Sequence, residues 1–319
     1  MKLEKKTKLI QLFSGDEFLS YEKIIDNLNI SRNAVLKQIK SLKELGYNIE
    51  FDKNKGYRLI SKPDKIIPEE ITNELDTDII GKDVYYFKSI SSTNLYARKI
   101  AEKGFREGVV VIADTQTKGR GRKNRFWFSS FGGLWFSVLL RPNILPERGM
   151  FVTMVASIAV AQTIKKITNI DPVIKWPNDL LINRKKVCGI LTEFDIKNDK
   201  INYTIVGIGI NLNNTISKDI EKIATSVSIE FGSDISRIEF LKIILKYFNN
   251  NYRTLIRGDF NKIKKLWINY SNITGKKVKI KDNGNIKTGI ILGIDENGYL
   301  ILKNIDGISK IFNGDIIYL

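Results

Sequence analysis

The chain has 319 residues, 43% of them hydrophobic, with 52 lysines and arginines against 35 aspartates and glutamates, a formal charge of +17. That length suits two or three domains with a packed core, and the positive balance favours an anionic partner such as a nucleotide or nucleic acid. The absence of histidine and the single cysteine, Cys188, exclude His-based acid–base catalysis, a Ser-His-Asp triad, His-ligated metals and an intrachain disulfide. The lack of disulfides and of a signal-type apolar segment after Met1 leads us to expect a cytoplasmic protein with no membrane association. The longest apolar stretch, residues 150–161, is interrupted by Thr153 and Ser157 and reads as a buried helix too short to span a bilayer. Cys188, between apolar neighbours, reads as a buried, inert thiol.

In chain order, residues 6–13 carry Leu9, Ile10, Leu12 and Phe13 at helical spacing. Ser20 is placed to cap a helix over 21–28, and Ser31 a longer one over 32–45, with Val35, Leu36, Ile39, Leu42 and Leu45 on one face and Gly46 at its end. Residues 47–51 and 56–60 read as two strands joined by 52–55. Two helices across a tight turn followed by a basic hairpin predict a winged helix-turn-helix over residues 1–62. Beside the capping Ser31, the second helix turns Arg32, Asn33, Lys37, Gln38 and Lys40 away from its apolar face. These residue types contact phosphates and base edges in a major groove, so they are the candidate DNA-binding set. The competing reading is a protein–protein module with a solvated basic face.

Residues 63–78, with two of the six prolines and several acids, read as a linker with a helical turn or two. A mixed α/β domain is expected over 79–270. Its strands fall at 83–87, 109–113, 134–140, 173–176, 180–182, 187–194 and 203–212, and its helices from Ser92 or Thr93 to about 103, over 151–167, and over 237–258 and 261–270. The consecutive β-rich runs from 173 to 212 predict an α+β domain with a largely antiparallel sheet, in an α+β multidomain chain. Residues 271–319 change character: short β runs separated by Asp282-Asn283-Gly284, Asn297-Gly298, Asp306-Gly307 and Asn313-Gly314 predict a small β-barrel.

The stretch from Asp114 to Gly133 stands out. Lys118, Arg120, Arg122, Lys123 and Arg125 interleave with Gly119 and Gly121 and lead into Phe126-Trp127-Phe128. Glycines let a backbone approach an anion, arginines fork onto phosphate or carboxylate oxygens, and aromatic faces receive flat rings. Three further blocks accompany it: Ser91-Ser92-Thr93-Asn94; Lys175-Trp176-Pro177-Asn178-Asp179 with Lys186-Val187-Cys188-Gly189-Ile190; and Gly207-Ile208-Gly209-Ile210-Asn211. In this order and spacing, over residues 85–215, they resemble the biotin–protein ligases. With the helix-turn-helix, whose residues 30–40 resemble a recognition helix, the likeness is to the bifunctional ligase and biotin-operon repressor.

The resemblance implies an ATP-dependent enzyme that makes biotinoyl-5′-AMP and passes biotin to a lysine of biotin carboxyl carrier protein. It also implies a repressor that binds operator DNA as a ligand-dependent homodimer, and an SH3-like fold for the C-terminal barrel. Ser92, Thr93, Asn94, Gln116 and the Arg120-Gly121-Arg122 loop would surround biotin. Lys186, seven residues after Asp179, would hold the biotin carboxylate and ATP phosphates, with Arg122 and Asp179 as its catalytic companions. Trp127, Asn178, Gly209 and Asn211 would border the adenylate with Arg120, Arg122 and Lys186, and Mg²⁺ would arrive on ATP, with Asp179 beside it. Packing readings stand next to these: Ser92 or Thr93 as a helix cap, Gln116 as a loop residue, Trp127 as core. Asn124 departs from the family's usual small residue. A catalytically decayed biotin sensor and a lipoate ligase are the alternatives; the latter group carries a histidine in its glycine block that this chain lacks.

Overall fold

The structure, a computed structural model, describes residues 8–10, 12–13, 17–61, 65–282 and 285–319. It forms two compact units, one ending at Glu74 and one running from Leu75 to Leu319. Lys6 in the first expected helix, Pro63 in the expected linker and the Asn283-Gly284 turn lie outside the described residues.

The first unit contains helices α1 (Tyr21–Leu28) and α2 (Arg32–Glu44), then an antiparallel hairpin of β1 (Asn48–Asp52) and β2 (Gly56–Ser61). Ser20 Oγ accepts the Lys23 N–H and Ser31 Oγ the Ala34 N–H, each satisfying a donor that a helix start leaves unpaired. Asn29, at φ 47°, makes the left-handed break between the helices, a conformation asparagine tolerates. Ile24, Leu28, Val35, Ile39, Leu42, Tyr47 and Ile49 form the core with Leu9, Ile10 and Phe13. Leu36, expected in that apolar face, is 44% exposed, because it sits a further 100° round the helix from Val35. It emerges among exposed Arg32, Asn33, Lys37 and Lys40, with Gln38 half-buried. The stretch expected as a linker holds helix α3 (Pro68–Glu74), started by proline and with Glu69 and Glu70 in its first turn.

The second unit is built on seven strands: β3 (Val84–Ile90), β4 (Val110–Gln116), β5 (Leu134–Leu140), β6 (Val173–Lys175), β7 (Asp179–Ile182), β8 (Lys185–Lys197) and β9 (Lys200–Ile210). Their order is β3-β4-β5-β9-β8-β7-β6. The β3–β4 pair is parallel and bridged by α4 (Thr93–Glu102); all other neighbours are antiparallel. The β8–β9 hairpin is longer than the apolar pattern indicates. Asn198 and Asp199 both take positive φ at its tip, as a two-residue hairpin turn requires, and the polar residues beside them extend the ladder into solvent.

Helix α5 (Met150–Thr168) corrects the expectation of a segment too short to cross a membrane. The helix and the turn before it, Pro146–Thr168, are long and apolar enough by composition, but 72% of the apolar window is buried inside the fold. Thr153 and Ser157 do not interrupt it, because the Thr153 hydroxyl pairs with that of Thr192 at 2.7 Å and the Ser157 hydroxyl donates to the Met154 carbonyl of the same helix. After the short α6 (Val227–Phe231), α7 (Arg237–Ile256) and α8 (Phe260–Ser271) pack on α5. The C-terminal strands β10 (Lys277–Asp282), β11 (Asn285–Ile294), β12 (Leu300–Asn304), β13 (Gly307–Ile311) and β14 (Asp315–Tyr318) form an antiparallel sheet in the order β13-β12-β11-β10-β14. Its core is Val278, Ile280, Ile291, Leu300, Leu302 and Ile316. Cys188 is buried, and that burial pushes its thiol up out of the reactive range.

Candidate active site

A cavity of about 430 Å³ runs along β9, a size within the ~300–1,000 Å³ of small-molecule sites. Gly207, Gly209 and Asn211 face it at successive i, i+2 positions. Four residues of strand cover roughly 13 Å at 3.3 Å each, so these three positions mark the two ends and the middle.

At Gly207 the lining is neutral and hydrogen-bonded. Gln116 Oε1 accepts from Thr93 N–H at 2.8 Å and lies 3.1 Å from Thr93 Oγ1, while Gln116 Nε2 donates to Ser129 Oγ at 2.9 Å. Ser137 Oγ lies 2.7 Å from Thr93 Oγ1 and 2.6 Å from Asn94 Oδ1. Asn94 Nδ2 donates to Glu193 at 2.8 Å, and a Cβ on Gly207 would collide with the Asn94 amide. Asn94 is therefore fixed by its neighbours on both sides. Ser92 precedes α4, yet its hydroxyl makes no capping bond and it lines the cavity. Gln116 ends β4 rather than sitting in a loop.

The middle is cationic. Lys186 Nζ pairs with Asp179 Oδ1 at 2.7 Å and sits 5.0 Å from the Trp127 ring centre. Trp127 lies against the paired glycines Gly189 and Gly209, where a Cβ would come within 2.9 and 2.6 Å of its ring. The tight approach at Gly209 is thus made by the indole. Trp127 is half-buried, and its indole Nε1–H, unlike its backbone N–H, is buried without a hydrogen-bond partner among the described residues. The glycine loop folds back on itself, with Trp127 N–H donating to Gly119 O and Gly121 N–H to Arg125 O. Lys123 and Asn124 turn it at φ 55° and 57°, so asparagine replaces a small residue at little conformational cost.

Four of the loop cations already have partners. Arg122 donates to Asn178 Oδ1 at 3.0 Å and to Asn313 Oδ1 of the C-terminal sheet. Arg125 donates to Asp315 at 2.8 Å, and Lys123 lies 3.7 Å from the same carboxylate. Arg120 approaches Glu193 at 3.7 Å. Asn178 in turn donates to Ile190 O at 2.8 Å, which fixes the acceptor that receives Arg122. Burial alone would raise the Asp315 carboxyl, but the Arg125 hydrogen bond and the charges of Arg125, Lys123 and Arg122 hold it below the usual carboxylate range. Its contact is therefore present at neutral pH and is lost as pH falls through the depressed value. Asp315→Asn is expected to speed deuterium uptake over residues 120–126 at pH 7. Acidification should bring the wild type toward the variant. Equal uptake at pH 7 would remove Asp315 as a restraint on the loop.

At the far end Asn211 takes the Val187 carbonyl with its backbone N–H, and its side chain binds Thr225 O and Asn214. Asn214 Oδ1 is buried without a hydrogen-bond partner among the described residues. Apolar walls come from Ile216, Ile220 and Ile223. The predicted residues Ser92, Thr93, Asn94, Gln116, Arg120, Gly121, Arg122, Trp127, Asn178, Asp179, Lys186, Gly209 and Asn211 all line this one cavity. Sequence reasoning missed Ser129, Ser137, Glu193, Asn313, Asp315 and the 214–224 segment. Glu193 lies three residues beyond the block that ends at Ile190; the others carry no local chemical signal.

Residues 86–211 match the Biotin/lipoate A/B protein ligase family, residues 5–58 an HTH domain, and residues 273–318 the biotin protein ligase C terminal domain. The chain is 42% identical to the bifunctional ligase/repressor BirA of Bacillus subtilis (strain 168), over 97% of either chain. It is 29% identical to the protein of that name from Escherichia coli (strain K12), over 98% of this chain and 96% of that one. Among solved structures, the biotin protein ligase from Aquifex aeolicus in complex with biotin and ATP matches with a TM-score of 0.64 at 32% identity. It covers 75% of this chain and 99% of that one.

Proposed function

The chain belongs to the family of bifunctional biotin ligase/repressors, and from that membership we propose how its geometry carries out both tasks. It is an ATP-dependent biotin–protein ligase that forms biotinoyl-5′-AMP and transfers biotin to a lysine of biotin carboxyl carrier protein, and it is a repressor of biotin genes. One observation carries the assignment of roles: a single histidine-free cavity has hydroxyls and amides at one end, Lys186 and Arg122 in the middle, and amides with apolar walls at the other.

Biotin's uncharged ureido ring suits the Ser92, Thr93 and Gln116 end, with Asn94 positioning that wall rather than reaching the ligand. Its carboxylate then lies at the centre with the ATP phosphates. A carboxylate oxygen attacks the α-phosphorus as the bond to pyrophosphate breaks. The obstacle is repulsion between two anions, which fixed cations reduce. Lys186, held by Asp179, faces that point, and Arg122 and Arg120 close over it by exchanging their present partners for phosphate oxygens. Adenine takes the far end beside Asn211, with Trp127 between the two substrates. Among the described residues no three His, Cys, Asp or Glu side chains converge, and Asp179 is already paired with Lys186. These residues do not build a cage for Mg²⁺. The ion fits here only as one carried on the phosphates, where it keeps most of its waters.

The test is transfer of labelled biotin to a biotin carboxyl carrier domain, with lipoate as control. Transfer of lipoate in preference to biotin, or no adenylate from biotin and ATP, would overturn the reading. For repression, Ser31, Arg32, Asn33, Lys37, Gln38 and Lys40 face the major groove, and a two-fold dimer on a palindromic site supplies the contacts one winged helix lacks. Both activities are placed in the cytoplasm. Bound adenylate orders the glycine loop and so lowers the entropy cost of association. Biotin with ATP is therefore expected to tighten dimerisation and operator binding by about 5–150-fold, on the order of 1–3 kcal/mol. Sedimentation and operator titration at fixed salt measure this; unchanged values with ligand would remove the coupling.

A further inference from the structure

Ligation has a third participant, and the main cavity leaves no clear place for it. Biotin and the nucleotide fill that cavity, yet an amine must reach the acyl carbon near its middle. A second, smaller cavity of about 250 Å³ lies in the same unit and shares Arg122, Asn178 and Ile190 with the first. It therefore adjoins the main cavity at the cationic centre, with the hydrogen-bonded Arg122, Asn178 and Ile190 as the wall between them, a wall that opens when Arg122 exchanges Asn178 for phosphate. Its outer walls are Met150, Pro177, Thr192, Phe194 and Tyr299, with Asn313 from the C-terminal sheet. Its volume falls below the ~300 Å³ at which small-molecule sites begin, so it suits one side chain rather than another cofactor.

We propose that this second cavity is the channel through which the acceptor lysine reaches the adenylate, an inference that rests on the ligase reading above. The chemistry of its walls fits a primary amine on an aliphatic stem. Met150, Pro177 and Phe194 cover methylenes. Thr153 and Thr192, whose hydroxyls lie 2.7 Å apart, offer polar contacts in the wall. Arg122 stands at the inner end. An apolar channel closed by a guanidinium disfavours an ammonium ion, because desolvation and a like charge both favour the neutral amine. That delivers a nucleophile in a chain with no histidine to act as base. The neutral nitrogen forms the bond to the acyl carbon, and the acyl–oxygen bond to AMP breaks. AMP leaves with that electron pair, and the amine proton passes to its phosphate or to water. The turns of the C-terminal sheet, through Tyr299 and Asn313, then contribute one wall of the acceptor path.

Cys188 makes a clean test possible: it is the chain's one cysteine and is buried, so Thr192→Cys adds the single accessible thiol. The full-length variant is folded first and then alkylated with a bulky maleimide, with the unlabelled variant as its own reference. Pyrophosphate exchange with biotin and ATP reports adenylate formation; discharge to a biotin carboxyl carrier domain reports transfer. Labelling is expected to leave exchange within about two-fold and to slow transfer by about 10²-fold, the scale at which misplaced reactants lose rate. Transfer at the unlabelled rate, or an equal loss of both half-reactions, would overturn the channel. Failure of the unlabelled protein to form any adenylate would instead strike the ligase reading itself. As a second measurement, Phe194→Ala should raise the KM for the carrier domain and leave that for ATP unchanged; an unchanged KM for the carrier domain would also count against the channel.

Discussion

Lys186→Ala should slow adenylate formation by about 10²–10³-fold while the protein stays folded, the effect of deleting one preorganised electrostatic group, roughly 2.7–4 kcal/mol. The ammonium is half-exposed on β8, with Asp179 2.7 Å away and Trp127 beneath it. Its loss opens no core cavity, so little stability is at stake. It does leave the Asp179 carboxylate unpaired at the point where the proposed reaction brings two substrate anions together, so a repulsion would replace an attraction. Lys186→Arg keeps the charge but moves it on a planar fork, and should recover only part of the rate. The measurement is single-turnover synthesis of biotinoyl-adenylate at saturating biotin and ATP. A folded Lys186→Ala protein that makes adenylate at the wild-type rate would place Lys186 outside the mechanism. The same experiment on Asp179→Asn tests positioning: the lysine remains, and a smaller loss is expected.

Which parts of this site could be read from the amino acids follows from how each is built. The glycine loop declares its chemistry in its own residue types, whereas Lys186 and Asn211 were marked by the resemblance of their short contiguous blocks to those of the biotin–protein ligases. Ser129 and Ser137 could not be found that way, because a serine on a strand has no distinctive spacing; each acquires its role by facing Gln116 or Thr93 across the fold. Asn313 and Asp315 are harder still. They meet the arginine loop from 190 and 191 residues away, and the Asn-Gly turn that carries Asn313 was legible only as a turn. At the level of fold, strand alternation and Gly-terminated helices gave the elements, while the partner of each strand depended on tertiary packing. The β3–β4 parallel pair could be foreseen only from the helix between them. Leu36 shows the limit of helical periodicity: a five-residue apolar face was one position too wide, and the extra leucine emerged among the candidate DNA contacts.

A protein shortened to begin at Leu75 should retain biotin ligation and lose specific operator binding. The boundary follows from packing. Helix α3 belongs to the first unit, whereas the backbone just after it is anchored within the second: Asn249 Oδ1 accepts both Ile79 and Ile80 N–H, and Asn249 Nδ2 donates to Asp78. Leu75 itself is buried, with its side chain against Gly81. Every residue lining the main cavity lies between Ser92 and Asp315, so the cut leaves that lining intact. What disappears is the helix α2 face with Arg32, Asn33, Lys37 and Lys40, and with it direct base readout. The expected loss is the specific-over-nonspecific ratio, about 10³–10⁷-fold for proteins of this kind. The remaining basic surface would still attract duplex weakly, with a steep salt dependence and no sequence preference. Footprinting at two salt concentrations separates these. Protection of a defined promoter site by the shortened protein would show that the helix-turn-helix is not the reader, whereas ligation lost with the DNA binding would show that the first unit supports catalysis.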